Sequence, residues 1–82
     1  MTMTVISQFF SRMPVGQLFL SELTNGHGLI VGVELMEKVD ARHAKSIKTI
    51  KLSTHCHYDA KPGTLAIMKP GEFDPKFYLV DQ

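Results

Sequence analysis

Between Thr4 and Met13 the apolar residues Val5, Ile6, Phe9, Phe10 and Met13 recur at spacings of three and four, the stripe of a short amphipathic helix. Pro14 ends it, because the residue before a proline is pushed out of the helical region. Two apolar runs follow, Leu18 to Leu23 and Leu29 to Val33, separated by Thr24-Asn25-Gly26-His27-Gly28. The Asn-Gly pair readily supplies the positive φ angles of a tight turn, so the runs read as a β-hairpin, with a helix over Val15 to Leu23 as the main alternative.

Helical spacing returns at Leu35, Met36 and Val39 and predicts a helix of about two turns over Val33 to Val39, stopping at Asp40. Asp40 suits the N-cap of a second helix beginning at Ala41, since its carboxylate can accept a backbone N–H one turn in. At about 100° per residue that helix places His43, Ile47 and Ile50 on one side and Arg42, Lys45, Lys48 and Thr49 on the other. Leu52 would interrupt the basic side. From Ile50 the chain alternates instead, Ile50, Leu52, Thr54, Cys56 and Tyr58 against Lys51, Ser53, His55 and His57, so the helix gives way to a strand. Thr64 to Met68 and Phe77 to Val80 add two strands, joined by the turn-rich Lys69 to Pro75 into a C-terminal hairpin. Short helices, a break and a hairpin follow the order of a winged helix-turn-helix. The expected fold class is therefore a small α+β domain of that kind, with residues 1–82 forming a single domain.

Composition narrows the class. A chain of 82 residues has room for one thin core, and 44% apolar against 21% charged residues argues for a folded domain over a disordered one. No eighteen apolar residues run together, which excludes a helical membrane span, and Met1 to Met13 carries no signal-peptide core. Cys56 is the sole cysteine and cannot form an internal disulfide, so a reducing, cytoplasmic location is expected. The formal net charge of +1 hides an uneven distribution: residues 41–56 hold Arg42, Lys45, Lys48 and Lys51 and no acidic residue.

Catalytic chemistry finds little support. On a strand His55 and His57 would share one face, but two ligands do not make a zinc site and no further cysteine completes one. Cys56 and its neighbour His55 would point to opposite faces, which removes the nucleophile-base pair. Gly26-His27-Gly28 lacks the Lys-Ser or Lys-Thr of a phosphate loop, and His43, on the apolar side of its helix, reads as a buried side chain bonded to backbone. A non-enzymatic protein without cofactor or metal is the expectation.

The basic stretch carries the sharper hypothesis. Arg42, Lys45, Ser46, Lys48 and Thr49 would form a recognition face for double-stranded DNA, with charges for phosphates and hydroxyls for base edges, while Lys51, Lys61 and Lys69 would contact phosphates. The bland counterpart is a solvated face, and a monomer with so few charges would bind weakly unless it formed a homodimer. The rival is a protein-interaction module, such as a small inhibitor docking on a host protein through a sheet edge or the basic face, which the near-neutral total favours.

The segment NGHGLIVGVELMEKVDARHAKSIKTI resembles the phage regulatory proteins of the Rha family in its short hairpin, helix, break, and helix with a histidine followed by apolar residues four and seven places on, here His43, Ile47 and Ile50. HYDAKPGTLAIMKPGEFDPKFYLV is similar to the segment that follows there, with Tyr58 and Asp59 on its Tyr-x-Asp, and the likeness spans about two thirds of the chain. The resemblance implies a phage- or prophage-encoded regulator of gene expression with an antirepressor-type DNA-binding domain.

Overall fold

In the computed structural model, which describes residues 6–68 and 76–80, strands take the place of the predicted helices. The strands are β1 (Ser7–Phe9), β2 (Leu18–Thr24), β3 (Ile30–Lys38), β4 (His43–Lys51), β5 (Leu65–Ile67) and β6 (Lys76–Val80). They form one antiparallel sheet in the order β1-β6-β2-β3-β4-β5, curved into a half-barrel. Among the described residues the helical element is a single 3-10 turn, Phe10–Arg12, and no helix is long and apolar enough to cross a membrane. The expected α+β winged helix-turn-helix is overturned.

The predicted helices over Val33 to Val39 and Ala41 to Ile50 are β3 and β4, paired from Gly32 opposite Lys51 to Lys38 opposite Ala44. Burial on β3 alternates strictly from Gly32 to Lys38, yet the buried set is Gly32, Glu34, Met36 and Lys38, while Val33, Leu35 and Glu37 stand half-buried on the other face. Two charges inside and two aliphatics outside erase the alternation of hydropathy by which a strand is recognised. On β4 the buried residues are Ala44 and Ser46, and a bulge at the level of Ile47 breaks the period again. The break at Asp40 is real but belongs to a hairpin turn: Asp40 Oδ1 accepts the Arg42 N–H at 2.8 Å, and the Val39 and Asp40 N–H groups donate to the His43 carbonyl. The Arg42 N–H on the carboxylate, then the His43 side chain, holds the Asp40 carboxyl below its usual pKa.

The hairpin of Leu18 to Val33 is present and longer than expected, since β2 and β3 pair over seven positions from Leu18 opposite Glu37 to Thr24 opposite Ile30. Asn25 closes its turn by accepting the His27 and Leu29 N–H groups on Oδ1. Gly28, with φ of 78°, supplies the left-handed conformation, a role expected of the Asn-Gly pair. Strands also form at Leu65–Ile67 and Lys76–Val80, but they do not make a C-terminal hairpin. β5 pairs with β4 at one end of the sheet, and β6 lies between β1 and β2 at the other. The predicted strand over residues 50–58 ends at Lys51; beyond it the chain leaves the sheet, anchored by the Leu52 and Ser53 N–H groups on the Val31 carbonyl.

The predicted first helix is β1 followed by the 3-10 turn. Its three-residue spacing has a physical meaning nonetheless, because Phe10 and Met13 both drop into the core from that turn. They cover Phe19, Met36 and Ala44 on the concave, closed face of the sheet, with Ala66, Met68, Phe77 and Leu79 packed around them. Phe10 meets Phe19 edge-on at 5.8 Å between ring centroids, and Phe19 lies 4.7 Å from Phe77. Lys38, only 5% exposed, ends the turn by donating to the carbonyls of Phe10 (2.9 Å) and Met13 (2.8 Å), with its ammonium 4.7 Å above the Phe10 ring. A buried cation is tolerable here because backbone oxygens and an aromatic face replace its water.

Candidate functional site

Strand geometry separates the residues expected to contact DNA. By register Lys45 and Lys48 lie on the convex, open face of β4, whereas Ser46, Thr49 and Lys51 belong to the closed-face rows. The Ser46 hydroxyl is buried and donates to Glu34, and the Thr49 hydroxyl is buried without a hydrogen-bond partner among the described residues, so neither is presented to a base edge. Lys45 pairs with Glu37 at 3.3 Å, a half-exposed contact contributing about 0–1 kcal/mol. Arg42, Lys48, Lys51 and Lys61 are exposed, on the β3–β4 turn, the open face, the end of β4 and the loop before β5 respectively. Lys69 lies outside the described residues. No single helical face gathers these groups.

The histidines also differ from expectation. His43 is half-exposed and bonded through Nδ1 to Asp40 at 2.8 Å, not buried against backbone. His55 and His57 are exposed on the irregular segment after β4 and do not share a strand face. Among the described residues no group of three or more His, Cys, Asp or Glu side chains is placed to hold a metal ion.

On the closed face the structure assembles a cluster that no local motif announces. Glu34, 5% exposed, accepts two hydrogen bonds on Oε2, from Ser46 Oγ at 3.0 Å and from the Tyr58 hydroxyl at 2.9 Å. Burial, followed by that hydrogen bond and the adjacent carboxylate charge, raises the Tyr58 pKa, since the phenolate would face a carboxylate. Tyr58 thereby latches the irregular segment to β3. Cys56 completes the latch. It is buried against Gly32, where an added Cβ would come within 2.9 Å of the Ile50 carbonyl and 3.0 Å of the Cys56 sulfur. A cavity of about 410 Å³ opens between this segment and the β2–β3 turn, bordered by Asn25, Val31, His55, Cys56 and Tyr58. Its groups make no nucleophile-base pair: the Cys56 thiol is directed to the Tyr58 carbonyl at 4.0 Å.

The open face carries the stronger feature. Cross-strand pairing aligns Tyr78, Leu20 and Leu35 in one row ending in Lys48, Val80 and Leu18 in a second that continues into Glu37, Lys45 and Leu65, and Val33 and Ile50 in a third beside Glu22. Ile67 stands beside His43 at the β5 edge. Leu18, Leu20, Val33, Leu35 and Val80 are half-buried by their neighbours alone, and Ile50, Tyr78, Leu65 and Ile67 are exposed. The result is a contiguous apolar patch rimmed by charges of both signs. The sequence pattern does not announce it, because Leu35 and Ile50 read as helical positions and the strands of Leu18, Leu20, Leu65, Ile67, Tyr78 and Val80 carry no local sign that they share one sheet face.

No protein-family model matches the chain, and neither a curated protein nor a solved structure is significantly similar to it.

Proposed function

We propose that this protein is an interaction module that works by docking the open face of its sheet against another protein surface. One observation carries the reading: the sheet buries a carboxylate and an ammonium, Glu34 and Lys38, in its closed face while Leu20, Leu35, Ile50 and Tyr78 line the face that no other described element covers. Apolar area of that extent is favourable only when removed from water, at roughly 25 cal/mol per Å². The test is binding of an environment-sensitive naphthalene sulfonate dye to dilute protein. Fluorescence enhancement that is lost in a Leu20→Lys/Leu35→Lys variant supports the reading; no enhancement at any concentration means that the face is covered within the chain and overturns it.

A second reading, binding of double-stranded DNA, is favoured by the exposure of Arg42, Lys48, Lys51 and Lys61 without acidic partners among the described residues. Anisotropy with a labelled duplex at low and physiological salt tests it. Steeply salt-dependent association supports it and none at low salt sinks it.

A further inference from the structure

We propose that the tip of the β2–β3 hairpin is a self-modification site, at which the folded protein loses the Asn25 side-chain amide through a succinimide ring formed with the Gly26 nitrogen. The proposal goes beyond the docking reading and does not depend on it.

Hydrogen bonding in the turn carries the inference. From Asn25 to Leu29 every backbone N–H but one has an acceptor: Asn25 donates to the Leu29 carbonyl at 2.9 Å, Gly28 to the Asn25 carbonyl at 3.1 Å, and His27 and Leu29 to Asn25 Oδ1 at 2.8 and 3.1 Å. The Gly26 N–H makes no hydrogen bond to a described residue. Its nitrogen is the nucleophile, and it lies next in the chain to the electrophilic Asn25 Cγ, so the ring closes without help from a distant group. Gly26 is exposed, and a Cβ built there meets nothing within 4 Å, which leaves the approach open. The two N–H groups on Oδ1 donate to the oxygen that turns negative as the Gly26 nitrogen adds to Cγ, the arrangement of an oxyanion hole. The turn thus leaves the nucleophile free and polarises the electrophile.

In the reaction the Gly26 nitrogen gives its proton to solvent base and bonds to Asn25 Cγ. The Cγ–Nδ2 bond then breaks, and the amide nitrogen takes a proton from water and leaves as ammonia. Water opens the ring at either carbonyl: attack at Cγ gives aspartate, and attack at the Asn25 main-chain carbonyl gives isoaspartate. The sequence of steps consumes a water and releases an ammonia with no change of oxidation state. Either product puts a new carboxylate at the hairpin tip, lowering the net charge of +1 by a unit and adding a charge to the border of the cavity shared with His55, Cys56 and Tyr58. Aspartate keeps an oxygen for the His27 and Leu29 N–H groups, whereas isoaspartate lengthens the main chain by a methylene and takes that side-chain acceptor away.

The test incubates the full chain at mildly alkaline pH and physiological temperature, native in one arm and unfolded in guanidinium chloride in the other. Mass spectrometry of the tryptic peptide of residues 13–38 follows the amide; fragment spectra separate Asn25, the sole asparagine, from Gln17, and chromatography against a synthetic aspartate peptide separates the two products. The expected result is conversion of native protein at Asn25 at a rate within about 100-fold of the unfolded chain's, with isoaspartate among the products. A slower native rate overturns the proposal, because conversion would then pass through globally unfolded molecules, a fraction of ~10⁻³ or less. A chain that keeps its amide in both arms overturns it as well. Gly26→Ala fits the open space and a backbone φ outside the left-handed region, so it is expected to keep the circular dichroism of the sheet while slowing native conversion several-fold by crowding the nitrogen. An unchanged rate in that folded variant would remove the Gly26 nitrogen as the nucleophile.

Discussion

The two faces of the sheet solve opposite problems. The closed face contains charged groups, yet both find partners: Lys38 has two carbonyls and a ring, and Glu34 has two hydroxyls. The open face contains aliphatic and aromatic side chains that no other described element covers. Burial by itself is thus a poor guide to polarity here; what matters is whether a buried polar group finds a partner and whether an apolar one finds a cover. The closed face satisfies its two buried charges within the chain, and the open face leaves its aliphatic side chains uncovered by any described element.

Substitutions that distinguish the faces should differ accordingly. The largest effect is expected from Phe19→Ala on the closed face, where removing a fully buried ring in contact with Phe10 and Phe77 costs about 3–5 kcal/mol in urea unfolding, enough to unfold a domain of this size. Lys38→Met keeps the stem but takes the ammonium away from the Met13 carbonyl and leaves the Phe10 carbonyl with the Met13 N–H, and should lower stability by about 2 kcal/mol; a neutral outcome would show that water reaches those oxygens. Gly32→Ala should cost about 1–3 kcal/mol, because the new methyl group meets backbone at Ile50 as well as the Cys56 sulfur. Hydrogen exchange in that variant should rise first in residues 52–60, the segment docked there.

Tyr58→Phe has a smaller expected effect, about 1 kcal/mol at neutral pH, and a distinctive pH dependence. The folded-state pKa of Tyr58 lies above its ordinary value of 10.0, so the contribution of the hydroxyl is fully present below that pH. It is lost as pH rises through the unfolded value toward the folded one, because the unfolded chain releases the proton first. The stability difference between wild type and Tyr58→Phe should therefore shrink above about pH 10. A difference that stays constant across that range would remove the hydrogen bond to Glu34 as its source. The smallest effect is expected on the open face: Leu35→Lys in dilute, monomeric protein should change stability by less than about 1 kcal/mol. A loss comparable to that of Phe19→Ala would mean that the two faces are not different after all.

Parts of this fold were legible where local chemistry and tertiary placement agree. The runs Leu18 to Leu23 and Leu29 to Val33 flank a turn rich in Asn and Gly, and they pair as expected. Asp40 marks a break because its carboxylate captures a nearby backbone N–H in a hairpin turn as readily as at a helix start. Phe10 and Met13 share a side in a 3-10 turn as they would in an α-helix. The candidate site was not legible. Glu34 and Tyr58 are 24 residues apart, and neither stands in a motif. The basic residues of β4 look like one helical stripe at a period of 3.6 and fall on two faces at a period of two.

The sequence by itself determined the position of the β2–β3 hairpin and of the break at Asp40, because Asn25, Gly28 and Asp40 act on backbone groups within a few residues of themselves. Only the tertiary structure decided that residues 33–50 are strands, that β6 enters between β1 and β2 from the far end of the chain, and that Lys38 turns inward while Leu35 turns out. The physical reason is that a strand's partner and the face it buries are set by hydrogen bonds and contacts distant in sequence. Lys38 is an interior residue only because the carbonyls of Phe10 and Met13 are there to receive it.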